Sequence, residues 1–184
     1  MRSTSTTSDP GRGGRRTRMA RPLYTPLERK RRDASPWTLV QGVLAPVQFL
    51  IFAVSLALVL RYLVTGEGHA VATASVVVKT LALYAIMLTG CIWEKAVFGR
   101  YLFAPAFYWE DVFSMLVLTL HTAYLAGLAT GALADRPLMY LALAAYASYV
   151  VNATQFLLKL RAARRAAGME AEAESDAVPQ ATPV

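Results

Sequence analysis

The chain has 184 residues, of which 55% are hydrophobic and only 17% are charged, and its mean hydropathy of +0.38 exceeds that of an ordinary soluble domain. We therefore expect a small integral membrane protein. The net charge of +7 does not indicate a nucleic-acid partner, because 10 of the 19 Lys and Arg residues fall in the first 32 positions and form a basic tail.

Residues 1–36 are predicted to form a disordered basic tail and a juxtamembrane segment. The first 20 residues are mostly Ser, Thr, Gly and Arg, with little to bury. They lack an apolar stretch followed by a small-residue cleavage site, so we expect no signal peptide. Residues 21–32, RPLYTPLERKRR, are a basic amphiphilic flank suited to anionic lipid headgroups.

Four apolar segments follow, each long enough to cross a hydrocarbon core that requires about 20 helical residues. They cover approximately residues 37–64, 72–93, 112–132 and 137–160. We predict an all-α, integral membrane four-helix bundle at 37–165, followed by an acidic, disordered C-terminal tail at 166–184. Basic residues flank the outer spans and occupy the middle loop, so the positive-inside rule places both termini in the cytoplasm.

The junction between the second and third spans concentrates charged and aromatic residues. It reads WEKAVFGRYLFAPAFYWEDVFSMLVLTLH from residue 93 to residue 121. An ionisable group at membrane depth is costly unless it is paired or faces a cavity, which makes this junction the first place to look for function. Glu94, Glu110 and Asp111 stand at the membrane boundary, where a merely structural charge is also tolerated.

Polar residues inside the spans recur at helical spacing and should share inward faces. These residues are Gln41, Gln48 and Ser55 on the first span, Lys79 on the second, Ser114, His121 and Tyr124 on the third, and Tyr149, Asn152 and Gln155 on the fourth. The pattern favours a polar cavity open to the cytoplasm. The alternatives are ordinary hydrogen bonds between helices, a satisfied buried histidine and, for Trp93, Tyr108 and Trp109, an interfacial aromatic belt.

Motifs of soluble enzymes are absent from the sequence. It contains no GxGxxG, phosphate-binding loop, HExxH or CxxC, so no nucleotide, structural zinc or cofactor site is predicted. Its two histidines, His69 and His121, lie in an outer loop and in a span and should not share a metal. The single cysteine, Cys91, has no intrachain partner and is interpreted as a small core residue.

Four stretches resemble the vinyl (bacterio)chlorophyllide hydratase family of bacteriochlorophyll biosynthesis. They are RPLYTP, SPWTLVQGVLAPVQFL, IWEKAVFGRYLFAPAFYWEDVFSMLVLTLHTAYL and YVVNATQFLLKLRAAR, within residues 21–165. The resemblance implies addition of water to the C3 vinyl group of a chlorophyllide-type tetrapyrrole, giving a 1-hydroxyethyl group, in the inner membrane of a phototrophic bacterium. It also implies a lipid bilayer and other pigment-biosynthesis enzymes as partners, and leaves open whether Met1 or Met19 is the start.

Hydration of a vinyl group requires a proton donor for the terminal carbon and a base that activates water. Glu94 as acid and Asp111 as base are the candidates, with exchanged roles equally compatible with the sequence and Glu110 in reserve. The predicted substrate contacts are His121, a candidate axial ligand of the substrate magnesium, and Trp93, Tyr108, Trp109, Gln48 and Asn152 around the ring. Hydration involves no net redox change, so no cofactor is required.

A second class of function also fits these residues: a tetraspan pigment-binding or photosynthetic-complex assembly factor that performs no chemistry. It explains the aromatic belt and His121 as well as a hydratase does, but the paired acids less well. A small transporter or quinone-binding subunit is a third possibility that Pro46 and Gly90 support only slightly.

Overall fold

Five α-helices make up the part of the chain described by the computed structural model, residues 23–177, with side chains described to residue 169. The helices are α1 (Pro26–Ala34), α2 (Pro36–Thr65), α3 (His69–Phe98), α4 (Tyr108–Thr130) and α5 (Asp135–Ala177). Each of α2 to α5 includes a window long and apolar enough to cross a membrane. The predicted all-α fold with four spans is confirmed, while the orientation of the termini stays a prediction.

The helices extend beyond the predicted apolar segments at the end of the bundle where charges cluster. α3 continues past Trp93 to Phe98, and α4 begins at Tyr108. Gly99 ends α3 in the left-handed conformation, with φ of 78°, and its N–H donates to the Lys95 carbonyl at 3.1 Å. Glu94 therefore lies near the end of α3, and Glu110 and Asp111 lie in the first turn of α4, where acidic groups interact favourably with the helix dipole.

Both flanking segments contribute helix within the described residues. α1 covers 26–34 and begins with a capping box, in which Thr25 and Glu28 each bond the other's backbone N–H. α5 continues through 166–177, part of the range predicted as a disordered tail. The predicted disorder of residues 1–22 and 178–184 lies outside the described residues.

The four long helices form a ring in which neighbours in the chain are antiparallel. α2 packs on α3, α4 packs on α5, and the two hairpins meet through α2 with α5 and α3 with α4. Only 22% to 28% of each spanning window is buried, so most of the apolar surface faces outward, as lipid contact requires. A Cβ at Gly127 would meet Leu138 Cδ1 at 3.1 Å, so glycine permits the close approach of α4 and α5 there.

Candidate active site at the junction of α3 and α4

Two buried carboxyl groups meet where α3 ends and α4 begins. Glu94 and Asp111 are each only 5% exposed, and their side chains hydrogen-bond to each other. An ionised carboxylate only accepts hydrogen bonds, so a bond between two carboxyl groups requires that one of them holds a proton. The arrangement therefore favours one proton shared between the two carboxyl groups, which is what an acid and a base acting together need.

Consecutive backbone N–H groups of the α3–α4 loop hold the two carboxyl groups. The Phe103 N–H donates to Asp111 Oδ2 at 2.7 Å, and the Ala104 N–H donates to Glu94 Oε2 at 3.4 Å. The shorter bond goes to Asp111, and a charged acceptor makes the shorter hydrogen bond. This asymmetry favours Asp111 as the carboxylate and Glu94 as the holder of the proton.

Phe103 adopts a backbone conformation that residues with side chains rarely take. Its φ is 59°, the one positive φ at a non-glycine residue within the described part of the chain. Such a conformation costs on the order of 1–3 kcal/mol and tends to occur at functional sites. Here it lies in the turn that presents two successive N–H groups to the acid pair, so the strain coincides with the positioning of the carboxyl groups.

Glu110, the reserve candidate, has a different partner from its neighbour in the chain. Its Oε2 accepts from Lys159 Nζ on α5 at 2.6 Å, and the Lys159 ammonium also lies 5.0 Å from the centre of the Phe107 ring. Glu110 is 6% exposed. We interpret it as one half of an ion pair that joins α4 to α5 beside the acid pair.

Replacing Lys159 with methionine should destabilise the protein by about 1–3 kcal/mol, because a buried carboxylate loses its charged partner. The double variant K159M/E110Q removes both charges and should recover most of that loss. Thermal unfolding of the detergent-solubilised variants, followed by circular dichroism, measures the difference. A double variant no more stable than K159M would show that the pairing of Glu110 with Lys159 is not what stabilises this region.

An aromatic cluster packs beside the acid pair. Its rings belong to Tyr24, Trp93, Phe98, Phe107 and Phe156, with Phe107 central and 5.7 Å from both Trp93 and Phe156. Burial raises the pKa of the Tyr24 hydroxyl, although the nearby Arg32 acts to lower it. The Tyr24 hydroxyl therefore stays neutral. The cluster provides an apolar wall on which a planar aromatic ring can pack.

The predicted aromatic contacts separate into two groups. Trp93 belongs to the cluster, and its Nε1–H donates to Thr38 Oγ1 at 3.0 Å, linking α3 to the start of α2. Tyr108 and Trp109 instead lie on the outer surface, 47% and 67% exposed, with their rings packed against each other. The structure does not bring these two rings to the interior face that carries the acid pair.

Polar side chains continue from the acid pair into the bundle. Asn152 Nδ2 donates to Ser114 Oγ at 2.9 Å, joining α5 to α4 one turn beyond Asp111. Several buried polar atoms have no hydrogen-bond partner among the described residues: Gln48 Nε2, Lys79 Nζ, His121 Nε2, Asn152 Oδ1 and Gln155 Oε1. Buried polar groups are nearly always paired, so these atoms are suited to bind the polar substituents of a bound molecule.

His121 offers a free ring nitrogen inside the bundle. The residue is 0% exposed, and its Nδ1 lies 2.8 Å from the Val117 carbonyl, which can only accept a hydrogen bond. The proton of the neutral ring must therefore be on Nδ1, leaving a lone pair on Nε2. This is the tautomer and orientation of a metal-binding histidine, although no group of three His, Cys, Asp or Glu side chains suited to a resident metal occurs within residues 23–169.

The sequence identified both members of the acid pair but not the groups that hold them. The backbone donors at Phe103 and Ala104 have no signature in the sequence, because any residue supplies an N–H. Lys159 did have a signal, since it follows Asn152 and Gln155 at helical spacing on the inward face of the last span.

Comparison with known proteins gives a consistent result. The family described as 2-vinyl bacteriochlorophyllide hydratase matches residues 24–162. A relative from Rhodobacter capsulatus named 2-vinyl bacteriochlorophyllide hydratase is 66% identical over 148 residues, covering 80% of this chain and 86% of the relative. One of the same name from Cereibacter sphaeroides is 67% identical over 144 residues, covering 78% and 89%. No solved structure matches.

Proposed function

This chain belongs to the 2-vinyl bacteriochlorophyllide hydratase family, and we propose that it hydrates the C3 vinyl group of a bacteriochlorophyllide-type ring with Glu94 as acid and Asp111 as base. The observation that carries the assignment of roles is the hydrogen-bonded carboxyl pair and the unequal backbone bonds that its members receive. The product carries a 1-hydroxyethyl group.

The reaction proceeds through a carbocation that the macrocycle stabilises. Glu94 transfers its proton to the terminal vinyl carbon, and the positive charge at the inner carbon is delocalised into the ring. Water adds to that inner carbon while Asp111 accepts the proton that the water loses. The atoms balance as one added water, with no change in net oxidation state.

The hydrogen bond between the two carboxyl groups also resets the site. After one turnover Glu94 has lost its proton and Asp111 has gained one. Transfer of that proton along their shared hydrogen bond restores the starting state without exchange with bulk solvent. A buried pair that begins and ends with one proton is therefore suited to hydration, in which the substrate takes up a complete water molecule.

Other groups in the bundle are suited to holding the ring. The aromatic cluster around Phe107 provides the apolar surface, and Gln48 and Asn152 provide free amide atoms. The free Nε2 of His121 fits an axial ligand of the substrate magnesium. By helical rise His121 lies about 15 Å from Asp111 along α4, so a ring at the acid pair reaches this nitrogen only if it extends into the bundle.

The four spans and the named relatives support a location in the membrane that carries the pigment pathway, and we infer the cytoplasmic or intracytoplasmic membrane of a phototrophic bacterium. Enzymes that make the vinyl pigment or consume the hydroxyethyl product are the expected neighbours. Fractionation of membranes with a tagged copy, followed by identification of copurifying proteins, tests both inferences.

Incubation of the purified protein with vinyl bacteriochlorophyllide in water enriched in oxygen-18 should give a product heavier by one labelled water. The red absorption band should shift to shorter wavelength as the vinyl group leaves conjugation. Mass spectrometry and absorbance measure both changes. Pigment that binds to folded protein yet stays unchanged would instead support the pigment-binding or assembly function.

A further inference from the structure

Lys79 places an amine at the centre of the bundle. The residue is 0% exposed, and its Nζ has no hydrogen-bond partner among the described residues. Its nearest described interaction is with the Tyr149 ring, whose centre lies 3.9 Å from Nζ. Leaving a buried donor unsatisfied is costly, so a donor kept in this position is suited to an acceptor on a bound molecule.

The depth of this amine can be followed through contacts between helices. Asn152 on α5 bonds Ser114, which lies one turn beyond Asp111 on α4. Tyr149, which the Lys79 amine covers, lies one turn deeper again on α5. Two turns along α5 amount to on the order of 10 Å, whereas the backbone of Lys79 lies 15 residues before Glu94 on α3, roughly 22 Å away. Lys79 Nζ, over the Tyr149 ring, therefore lies between these two depths, a distance that the long axis of a tetrapyrrole can span with a contact at each end.

Resting on the proposed function, we propose that Lys79 Nζ donates a hydrogen bond to the ring ketone of the substrate. Chlorophyllide-type rings carry this ketone on the edge opposite the C3 vinyl group. With the vinyl group at Glu94 and Asp111, the long axis of the ring runs along the helices, past the buried unpaired polar atoms of the bundle, and its ketone points into the bundle. Lys79 thus fixes which edge of the ring reaches the acid pair.

The other acceptor on the substrate is its propionate, and the position of Lys79 argues against it. The propionate is attached on the same half of the ring as the ketone, away from the exposed Lys95 and Arg100 of the α3–α4 junction, so contact with Lys79 would bury an anionic carboxylate at the centre of the bundle. A neutral ketone tolerates the apolar centre far better than a carboxylate does. The ketone is therefore the acceptor that we assign.

Absorbance titration of three pigments against wild type and K79M tests this assignment without relying on turnover. The pigments are the vinyl ketone, an analogue with the ketone reduced to a methylene group, and the propionate methyl ester. K79M should weaken binding of the ketone and of the ester about tenfold or more, the loss expected when a buried acceptor is left without its donor. It should leave the reduced analogue unaffected.

Matched variants separate this role from a structural one. K30M removes an exposed lysine of α1 and should bind all three pigments as wild type does. K79Q retains an N–H donor and should recover part of the preference for the ketone. Thermal melts confirm folding. Methionine has a side chain of similar length to lysine but no buried unpaired amine, so we expect K79M to be no less stable than wild type.

Two results would overturn the assignment. Equal weakening of the ketone and the reduced analogue by K79M would show that Lys79 only supports the bundle. Weakening that disappears with the methyl ester would identify the propionate as the acceptor. Failure of the proposed hydration leaves the titration valid, since it reads binding, and failure of the Lys79 contact leaves the acid pair untouched.

Discussion

Glu94→Gln should lower kcat for vinyl hydration by about 10²- to 10⁴-fold, the contribution typical of a positioned general acid. Glutamine retains an oxygen that can accept the Ala104 N–H, so the loop should keep its conformation. It has no acidic proton to transfer to the terminal vinyl carbon. The rate of hydroxyethyl formation, followed by absorbance, should fall while the affinity for the vinyl pigment stays unchanged.

Glu67→Gln is the matched control for this substitution. Glu67 lies in the short loop between α2 and α3, at the opposite end of the bundle from Glu94, and its described hydrogen bond uses its backbone N–H. Its substitution should leave kcat at the wild-type value. If folded Glu94→Gln turned over as fast as Glu67→Gln, the role of Glu94 as acid would have to be withdrawn.

Asp111→Asn should lower kcat by a similar factor, about 10²- to 10⁴-fold, but at a different step. Asparagine can still accept the Phe103 N–H, yet it cannot take a proton from water. Protonation of the vinyl group by Glu94 remains possible, and the cation then returns to the vinyl form. In heavy water this variant should exchange hydrogen at the terminal vinyl carbon without forming product.

Deuterium uptake into recovered substrate, measured by mass spectrometry, therefore separates the acid from the base. Exchange should persist in Asp111→Asn and disappear in Glu94→Gln. The opposite pattern would reverse the two roles, and loss of exchange in both would show that the pair acts only as a unit. Asp33→Asn, in the exposed helix α1, serves as the control because its partner is the adjacent Arg32.

Hydropathy was sufficient to predict four membrane-crossing helices, because burial in lipid requires long apolar segments and little else from the sequence. It did not locate the ends of those helices at the site. Glu94, Glu110 and Asp111 are polar, so the apolar windows stop short of them, whereas backbone hydrogen bonding carries α3 to Phe98 and starts α4 at Tyr108. Both members of the acid pair therefore lie within helices, Glu94 in α3 and Asp111 in α4.

Periodicity placed His121 and Asn152 on inward faces, and the structure confirms that His121 is fully buried and that Asn152 bonds across to α4. What periodicity cannot supply is the pairing of atoms between helices. The contact of Lys79 with Tyr149 and the free Nε2 of His121 depend on how the four helices are packed, which one span's sequence does not encode.

The backbone of one loop connects the two members of the acid pair, since Phe103 holds Asp111 and Ala104 holds Glu94. Peptide N–H groups are common to every residue except proline, so exchange of the exposed side chains of residues 100 and 101 need not disturb the pair. Inserting or deleting a single residue would shift the register of both donors at once. Among related chains this segment should therefore keep a constant length.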